Sequence, residues 1–391
     1  EHPAGMGNTD NTISNNTNIY SSDDDDTADD GLFSFTINTT DNISKLYYNG
    51  GSYDVIENTN DDIFHGLSLI EYIDINIGNQ LIDRHYYRWI HTYMSSLVSS
   101  PYSVNYEALQ YVNGTNKKQI VKIPFLFWFC RNPGLALPLI ALQYHNVHFD
   151  IKFSNVISIK SATASSDVSI NNAKLWCNYI YLDSDERRRF SQVSHEYLIE
   201  QVQYQKDNLN TNNSENEVIS NIKLKFNHPV KYLIFYLGVN EISDNIGTNY
   251  SNNIYLTSAQ MKMNGINRFE EISSNFFKHI QFLQCNIPNH YNNSYKKSFN
   301  YLDNITTNIQ DNESLIDDSN GPLYYMYSFS LKPTSHQPSG TCNFSKIDLT
   351  ELILKHKSTT TNTSVSTIHT MAVNYNVLRI ECGLGGLAYS N

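Results

Sequence analysis

Apolar and polar residues alternate with a period of two in many short stretches of this chain. The alternation is clear in residues 147–153 (VHFDIKF), and it recurs at residues 73–77, 222–226, 325–331 and 378–382. Successive side chains of a strand point to opposite faces, so this period is typical of half-buried strands in antiparallel sheets. Asn and Gly turns between short strands favour a sandwich or a barrel. The alternation therefore predicts an all-β protein.

Length and the distribution of helical patterns predict two domains. A jelly-roll sandwich has eight strands, and 391 residues leave room for two. The most charged and helix-like stretch, SDERRRFSQVSHEYLIE (184–200), follows an aromatic strand predicted at 174–182. We place the boundary near residue 190, which gives domains 1–190 and 191–391. Short helices are predicted at His85–Leu97, Ser184–Tyr197 and Arg268–Phe277.

Charge argues against nucleic acid as a direct partner. The chain has 27 basic and 39 acidic residues, a net charge of -12, and such a surface repels phosphate backbones. The basic cluster Arg187–Arg189 follows three nearby acidic residues, so it is typical of a solvated helix end. The acidic segment Asp23–Asp30 predicts a solvated loop. No apolar run is long enough, about eighteen residues, to predict a transmembrane segment.

The sequence predicts no catalytic, cofactor or metal site. Its five cysteines are far apart and odd in number, which predicts buried free thiols in a reducing compartment. His145 and His148 fall on opposite faces of a predicted strand, so they are poor partners for one metal ion. The motifs HExxH and GxSxG are absent. In the terminal GLGGLAYSN only eight residues follow Gly383, too few to form a dinucleotide-binding helix.

Sequons for N-glycosylation occur eleven times, and most arise by chance in a chain so rich in Asn and Thr. We expect no ordinary secretory glycosylation, because no signal peptide is recognisable. Sugars added by another route remain an option for the sequons in predicted surface loops of the second half. These candidate sites are Asn212, Asn249, Asn292, Asn304 and Asn312.

The aromatic block FLFWFCRNPGLALPLIALQYH (125–145) predicts a core-building segment. Its first run, Phe125–Phe129, predicts a strand that is buried on both faces. Arg131–Gly134 predicts a turn, because Pro fixes φ and Gly accepts a positive φ. Pro138 interrupts the second apolar run, so this run predicts an irregular buried segment under a sheet.

This block resembles a hallmark segment of the major capsid proteins of large nucleocytoplasmic eukaryotic DNA viruses, which include chlorella viruses, iridoviruses and mimivirus-like giants. The resemblance covers the chain from about Gly66 to Asn391, and five more motifs occur in the family's order. They are IDINIGNQLIDRHYYRW (73–89), YLDSDERRRFSQVSHEYLIEQVQ (181–203), FNHPVKYLIF (226–235), HQPSGTCNFSKID (336–348) and YNVLRIECGLGGLAYSN (375–391).

The resemblance implies two tandem eight-stranded jelly rolls with short helices in the connections. It also implies a homotrimer of pseudo-hexagonal outline that tiles the outer icosahedral capsid of a virion. Implied partners are the chain itself, neighbouring capsomers and minor capsid proteins beneath the shell, assembled in the cytoplasm of the infected cell. The family's N-terminal arm is not recognisable, so we expect an incomplete first jelly roll, with residues 1–63 forming a loop or insertion. We expect the long loops, including 207–216 and 286–320, to form the outer tower.

Three arginines are candidates for salt bridges at domain or trimer contacts: Arg84, Arg187 and Arg188. A solvated role for them is an equal alternative. A minor-shell or scaffolding paralogue of the same fold is an alternative function, and copy number per virion distinguishes it. A carbohydrate-binding jelly roll is less favoured by the motif order. A cupin-like metal enzyme is disfavoured, because the sequence has no HxH.

Overall fold

The computed structural model describes residues 6–7, 17–20, 34–38, 70–97, 110–113, 118–121, 123–153, 175–210, 217–239, 254–287, 324–358 and 366–389. The chain forms two compact units. The first comprises the described residues of Glu1–Ile90, Leu109–Gln201 and Tyr375–Asn391, and the second those of His91–Ala108 and Val202–Asn374. The domain boundary near residue 190 stays a prediction, since a compact unit is not always an independently folding domain. The predicted acidic loop Asp23–Asp30 lies outside the described residues.

The first unit is built mainly of strands. Its strands are β1 (Met6–Gly7), β2 (Thr17–Tyr20), β3 (Ser34–Asn38), β4 (Ile70–Ile77), β5 (Gln80–Tyr86), β6 (Gln110–Asn113), β7 (Lys118–Val121), β8 (Val147–Phe153) and β9 (Cys177–Asn178). Its helices are α1 (Tyr87–Thr92, which ends in the second unit), α2 (Trp128–Arg131), α3 (Ser184–Gln192), and 3-10 helices at Pro133–Leu135 and Leu139–Ala141.

One sheet of the first unit has the strand order β2-β3-β8-β4-β5. Strand β4 lies antiparallel between β5 and β8, and Ile73, Ile75 and Ile77 face Ile151, Phe149 and Val147. All six side chains are buried, whereas the alternate residues of β8 are half-buried. The predicted strands at 73–77 and 147–153 are confirmed, because the period-two pattern places every apolar residue on one face.

The aromatic block differs in part from its prediction. Phe125–Phe129 is not a strand: the chain is irregular to Phe127 and then enters α2. The rings of Phe125, Phe127 and Phe129 lie with centroids 5.4, 6.2 and 6.4 Å from that of Phe149. Packing of the three rings around one residue of β8 overrides their local preference for a strand.

The rest of the block agrees with its prediction. The turn after Arg131 is confirmed as the 3-10 helix Pro133–Leu135, where Asn132 Oδ1 accepts a hydrogen bond from the Gly134 amide at 2.9 Å. The second apolar run forms no long helix and contains the 3-10 helix Leu139–Ala141. Pro138, Ala141 and Leu142 are buried, so this run is an irregular segment of the core.

The second unit contains strands β10 to β18. They are β10 (His195–Asn208, which begins in the first unit), β11 (Val218–Leu224), β12 (Pro229–Val239), β13 (Ile254–Met263), β14 (Ile266–Ser273), β15 (Tyr325–Ser328), β16 (Cys342–Asn343), β17 (Thr350–Ser358) and β18 (Ser366–Glu381, which ends in the first unit). Its helices are α4 (Gln281–Gln284), the 3-10 helix Phe344–Lys346, and π-helices at Tyr93–Leu97 and Phe276–Ile280. Strand β19 (Leu384–Leu387) belongs to the first unit.

The strand order of the second unit is that of a jelly roll. One sheet runs β10-β18-β12-β15 and the other runs β11-β17-β13-β14. Numbered first to eighth along the chain, without the two-residue β16, these strands give the orders 1-8-3-6 and 2-7-4-5. Successive strands therefore cross between two sheets in the manner of two Greek keys.

The core of the second unit lies between its two sheets. Leu233 and Phe235 of β12 pack in one cluster with Leu256 and Met261 of β13 and Leu354 of β17. Apolar residues alternate in β11, which has buried Val218, Ser220, Ile222 and Leu224 between exposed residues. Strand β18 differs, because every residue from Ser366 to Asn376 is buried. Both faces of this strand are therefore covered.

The sequence misplaced several element types and ends. Most of Arg268–Phe277 is not helical, because residues up to Ser273 pair with β13, and helix begins only at residue 274. In His85–Leu97, pairing with β4 keeps residues to Tyr86 in β5, and helix begins at Tyr87. The helix predicted at Ser184–Tyr197 ends at Gln192. The strand predicted at 174–182 is described from residue 175 onward, and in that part only Cys177 and Asn178 are paired.

Candidate assembly surface

Arg84 forms an ion pair within the chain. It faces Asp74 across β4 and β5, and its Nε and Nη2 atoms each donate to a different Asp74 carboxylate oxygen at 2.6 Å. The Asp74 carboxylate is buried, and 35% of the Arg84 side chain is exposed. The hydrogen bonds to Asp74 raise the pKa of the Arg84 guanidinium above its ordinary value, against the opposing effect of burial. Arg84 therefore carries a fixed charge with one exposed edge.

A second ion pair lies on the neighbouring strand. Lys152 Nζ of β8 lies 2.8 Å from a Glu71 carboxylate oxygen of β4, and this contact raises the pKa of Lys152. Tyr72 lies between the two pairs, with its ring centroid 4.0 Å from Arg84 Cζ and 5.4 Å from Lys152 Nζ. A tyrosine ring attracts cations on its face, so it holds both side chains in place. The polar face of this sheet thus presents paired charges.

Helix α3 carries the other two candidate arginines. Arg187, Arg188 and Arg189 are all exposed. The helix begins after Asp183 and has Asp185 and Glu186 in its first turn, where negative charges complement the helix dipole. The helix end is solvated in this chain, as predicted, and a role of Arg187 and Arg188 in contacts between chains stays a prediction.

Large apolar side chains are exposed just before and just after α3 in sequence. Ile180 and Tyr181 precede it with exposures of 58% and 79%, and Val193 follows it at 51%. The helix packs on the Leu139–Ala141 turn, and Tyr144, just beyond that turn, is 73% exposed. Exposed aromatic and arginine side chains together are typical of protein–protein interfaces. The sequence did not reveal this surface, because 174–182 was interpreted as a paired strand.

The described residues contain no group of three or more His, Cys, Asp or Glu side chains placed to hold a metal ion. His145 instead bonds through Nδ1 to the backbone of Gly385, with Nδ1 2.9 Å from the carbonyl oxygen. All five cysteines are free. The prediction that they are buried is wrong, since Cys130 and Cys382 are exposed and the other three are half-buried. Partial burial raises the thiol pKa of Cys177, Cys285 and Cys342.

Two further predictions concern the surface. Within the described part of the chain, no helix has the length and apolar character needed to cross a membrane. The five candidate glycosylation sites all lie outside the described residues. They are Asn212, Asn249, Asn292, Asn304 and Asn312.

Two family models match the chain in succession. The model described as "Major capsid protein N-terminus" matches residues 32–183. The model described as "Large eukaryotic DNA virus major capsid protein" matches residues 186–318 and 318–386. Together they span residues 32–386, which include most of both compact units.

Similar proteins come from large DNA viruses. The major capsid protein of Pyramimonas orientalis virus is 39% identical over 89% of this chain and 83% of its own length. The major capsid protein of Paramecium bursaria Chlorella virus 1 is 32% identical over 83% of this chain and 79% of its own. The chain also resembles a solved PBCV-1 virus capsid protein with 28% identity and a TM-score of 0.63, over 89% of this chain and 87% of that one.

These likenesses agree with the strand order of the second unit. The similar solved structures are double jelly-roll capsid proteins, so the predicted fold of two tandem jelly rolls is confirmed. The chain belongs to the family of major capsid proteins of large eukaryotic DNA viruses.

Proposed function

We propose that three copies of this chain form a homotrimeric capsomer of pseudo-hexagonal outline, which tiles an icosahedral shell. The observation that carries this proposal is that each chain has two compact β units, so three chains supply six. Six similar units around a threefold axis approximate a hexagon, which is a shape that tiles a surface. The coarser role follows from family membership: the protein is a structural component of the capsid, in the virion.

The surface around α3 supports the proposal that chains associate there. A permanent interface typically buries roughly 2,000 Å² or more and concentrates aromatic and arginine side chains at its centre. Arg187 and Arg188 are exposed, and so are Ile180 and Tyr181 shortly before them in sequence. The chain has a net charge of -12, so an arginine cluster on one copy meets a mainly acidic surface on the next. Arg84 also has an exposed edge, and it is a weaker candidate because Asp74 holds its guanidinium.

Further partners in this proposal are neighbouring capsomers and minor capsid proteins beneath the shell, with assembly in the cytoplasm of the infected cell. The close-packed interiors of the sandwiches suit a shell, because such interiors resist deformation. The outward position of the loops 207–216 and 286–320 stays a prediction, because 211–216 and 288–320 lie outside the described residues.

The mass of the purified protein in solution tests the trimer directly. Light scattering at neutral pH is expected to give about three times 44.8 kDa. The variant Arg187→Glu/Arg188→Glu is expected to lower this mass, while Lys346→Glu, which reverses an exposed basic side chain of the second unit, is expected to leave it unchanged. A wild-type monomer at all concentrations would contradict the trimer. An unchanged mass in the double variant would remove only the α3 contact.

A further inference from the structure

The first unit is completed by residues that follow the whole second unit in sequence. Residues Tyr375–Tyr389, here called the strap, belong to the first unit, and residues Val202–Asn374 before them belong to the second. The strap forms a hairpin from the end of β18 and β19, in which Leu378 pairs with Leu387 and Ile380 with Gly385. Cys382 and Gly383 have φ of 52° and 79° at its turn. Two positive φ values in a two-residue turn are typical of a tight hairpin.

Alternate side chains of the strap are buried in the first unit and fit it closely. Leu378 and Ile380 are almost fully buried. A Cβ atom at Gly385 would lie 2.6 Å from Leu142 Cδ2, so one of them would have to shift, and 3.1 Å from Ile77 Cγ2, which is a tight contact. Since Leu142 and Ile77 are themselves buried, the strap occupies space inside the core of the unit.

Hydrogen bonds fix the strap at several points. His145 Nδ1 lies 2.9 Å from the Gly385 carbonyl oxygen and 3.2 Å from its amide nitrogen, so either tautomer makes one bond to this residue. The Tyr144 amide donates to the Gly383 carbonyl at 3.0 Å. The Leu387 amide donates to Gln80 Oε1 at 3.1 Å, across 307 positions of sequence.

The other end of the strap is held by a buried amide. Asn376 is 2% exposed, and its Nδ2 donates at 2.9 Å to Gln201 Oε1 and to the Tyr389 carbonyl oxygen. Gln201 in turn donates to the Ile82 carbonyl of β5. The first unit therefore lacks core side chains and hydrogen-bond partners on β5 and at residues 142–145 until the strap is in place.

The second unit has no such requirement. The core between its two sheets is built from residues 209–372, and the other segment of this unit, the described part of His91–Ala108, precedes them in sequence. We propose that the strap sets the order of folding: the second unit folds first, and the first unit closes last, when the strap docks onto β5 and residues 142–145. A chain then gains a finished first unit only after the second unit has been synthesised.

Refolding of the full chain tests this order. The protein is diluted from urea, pulse-labelled with deuterium at increasing times, and analysed by mass spectrometry of its peptides. We expect amides of β11, β13 and β17 to become protected in an earlier phase than amides of β4, β5 and β8. Protection of β4, β5 and β8 at the same time or earlier would overturn the proposal.

A matched pair of variants gives the second test. Gly385→Ala places its Cβ against buried Leu142 and Ile77, whereas the Cβ of Gly134→Ala meets only Asn132 Oδ1 at 3.4 Å. In the native protein, Gly385→Ala is expected to speed exchange in β4, β5 and β19 by at least about tenfold. Exchange in the second unit of this variant is expected to stay unchanged. In the control Gly134→Ala, exchange is expected to stay unchanged in both units. Unchanged exchange in the first unit, or equal loss of protection in both units, would overturn the proposal.

Discussion

The imidazole of His369 stacks on the ring of Tyr236, with centroids 4.7 Å apart and planes 12° from parallel. The two residues face each other across β12 and β18. His369 Nδ1 lies 2.7 Å from the Tyr204 hydroxyl, and Nε2 lies 3.1 Å from Thr367 Oγ1. No part of His369 is exposed. Each ring nitrogen thus has a partner, as burial of a polar side chain requires.

Replacing His369 by leucine removes both hydrogen bonds and leaves the buried Thr367 hydroxyl with fewer hydrogen-bond partners. The free energy of unfolding is expected to fall by about 1–3 kcal/mol, measured by urea denaturation. Ile219→Ala is the control on the neighbouring sheet, because Ile219 is 55% exposed, and it is expected to change stability by less than about 0.5 kcal/mol. Equal losses in the two variants would contradict a structural role for the His369 contacts.

His356 makes the second unit less stable in acid. Burial lowers its pKa below the ordinary value of 6.5, and its neighbours on the adjacent strands, Val218 and Leu256, are apolar. The unfolded state therefore binds more protons than the folded state below pH 6.5. The stability from neutral His356 is fully present above that pH and is lost as pH falls toward the lowered pKa.

The variant His356→Gln tests this dependence. Glutamine retains a partner for Ser220 Oγ, which lies 2.9 Å from His356 Nε2, and it does not titrate. Between pH 7.5 and 5, unfolding free energies of the wild type are expected to fall more steeply than those of the variant. The difference for one proton is at most about 1.4 kcal/mol per pH unit. Parallel curves would show that His356 does not contribute.

The Arg84–Asp74 pair is expected to stabilise the first unit more than a surface pair does. Arg84→Met leaves a buried carboxylate without its cation, and the expected loss is about 2 kcal/mol. This is less than for a fully buried pair, because water reaches part of Arg84. Arg379→Met removes the exposed pair with Glu196 and is expected to cost less than about 1 kcal/mol. A double-mutant cycle with Asp74→Asn measures the coupling, and coupling near zero would contradict the expectation.

Lys231 holds a loop of the second unit in place. Its side chain is 1% exposed, and its Nζ donates to the Ser335 carbonyl oxygen at 2.8 Å. Lys231→Met keeps the apolar stem but removes this bond, so amides of residues 331–340 are expected to exchange faster. Amides of β11 serve as the internal reference. Unchanged exchange in 331–340 would mean that the loop is held by its other contacts, such as Ser330 with Ser339.

Strands with one buried face were predictable from sequence, because the alternation of apolar and polar residues in β8 and β11 indicates which side chains enter the core. Strand β14 was not, because its burial pattern has only Phe269 and Ile272 half-buried among exposed residues. Its strand conformation comes from pairing with β13, a contact between segments that local periodicity does not encode. The change from helix α3, which ends at Gln192, to strand β10, which begins at His195, was missed for a similar reason. The strand conformation of β10 comes from pairing within its sheet.

The assembly surface was predictable only in part. The arginines of α3 are visible as a charge cluster, and their exposure followed from the acids beside them. Asp74 as the partner of Arg84 was not predicted, although ten residues separate them, because the register of β4 and β5 has to be known first. The exposure of Tyr181 was not predicted, because it lies in an aromatic run. Such a run is interpreted as part of the core when its neighbours in the fold are unknown.

The strap also limits how such capsid genes exchange parts. A crossover at one point near residue 200 would pair the early strands of one virus's protein with the strap of another. Gly385 from one parent would then have to pack against Leu142 and Ile77 from the other. His145 would likewise have to bond to the strap backbone of the other parent. Recombinants between distant relatives are therefore expected to take residues 375–389 from the same parent as residues 70–153. This requires a second crossover within β18, after its central residues.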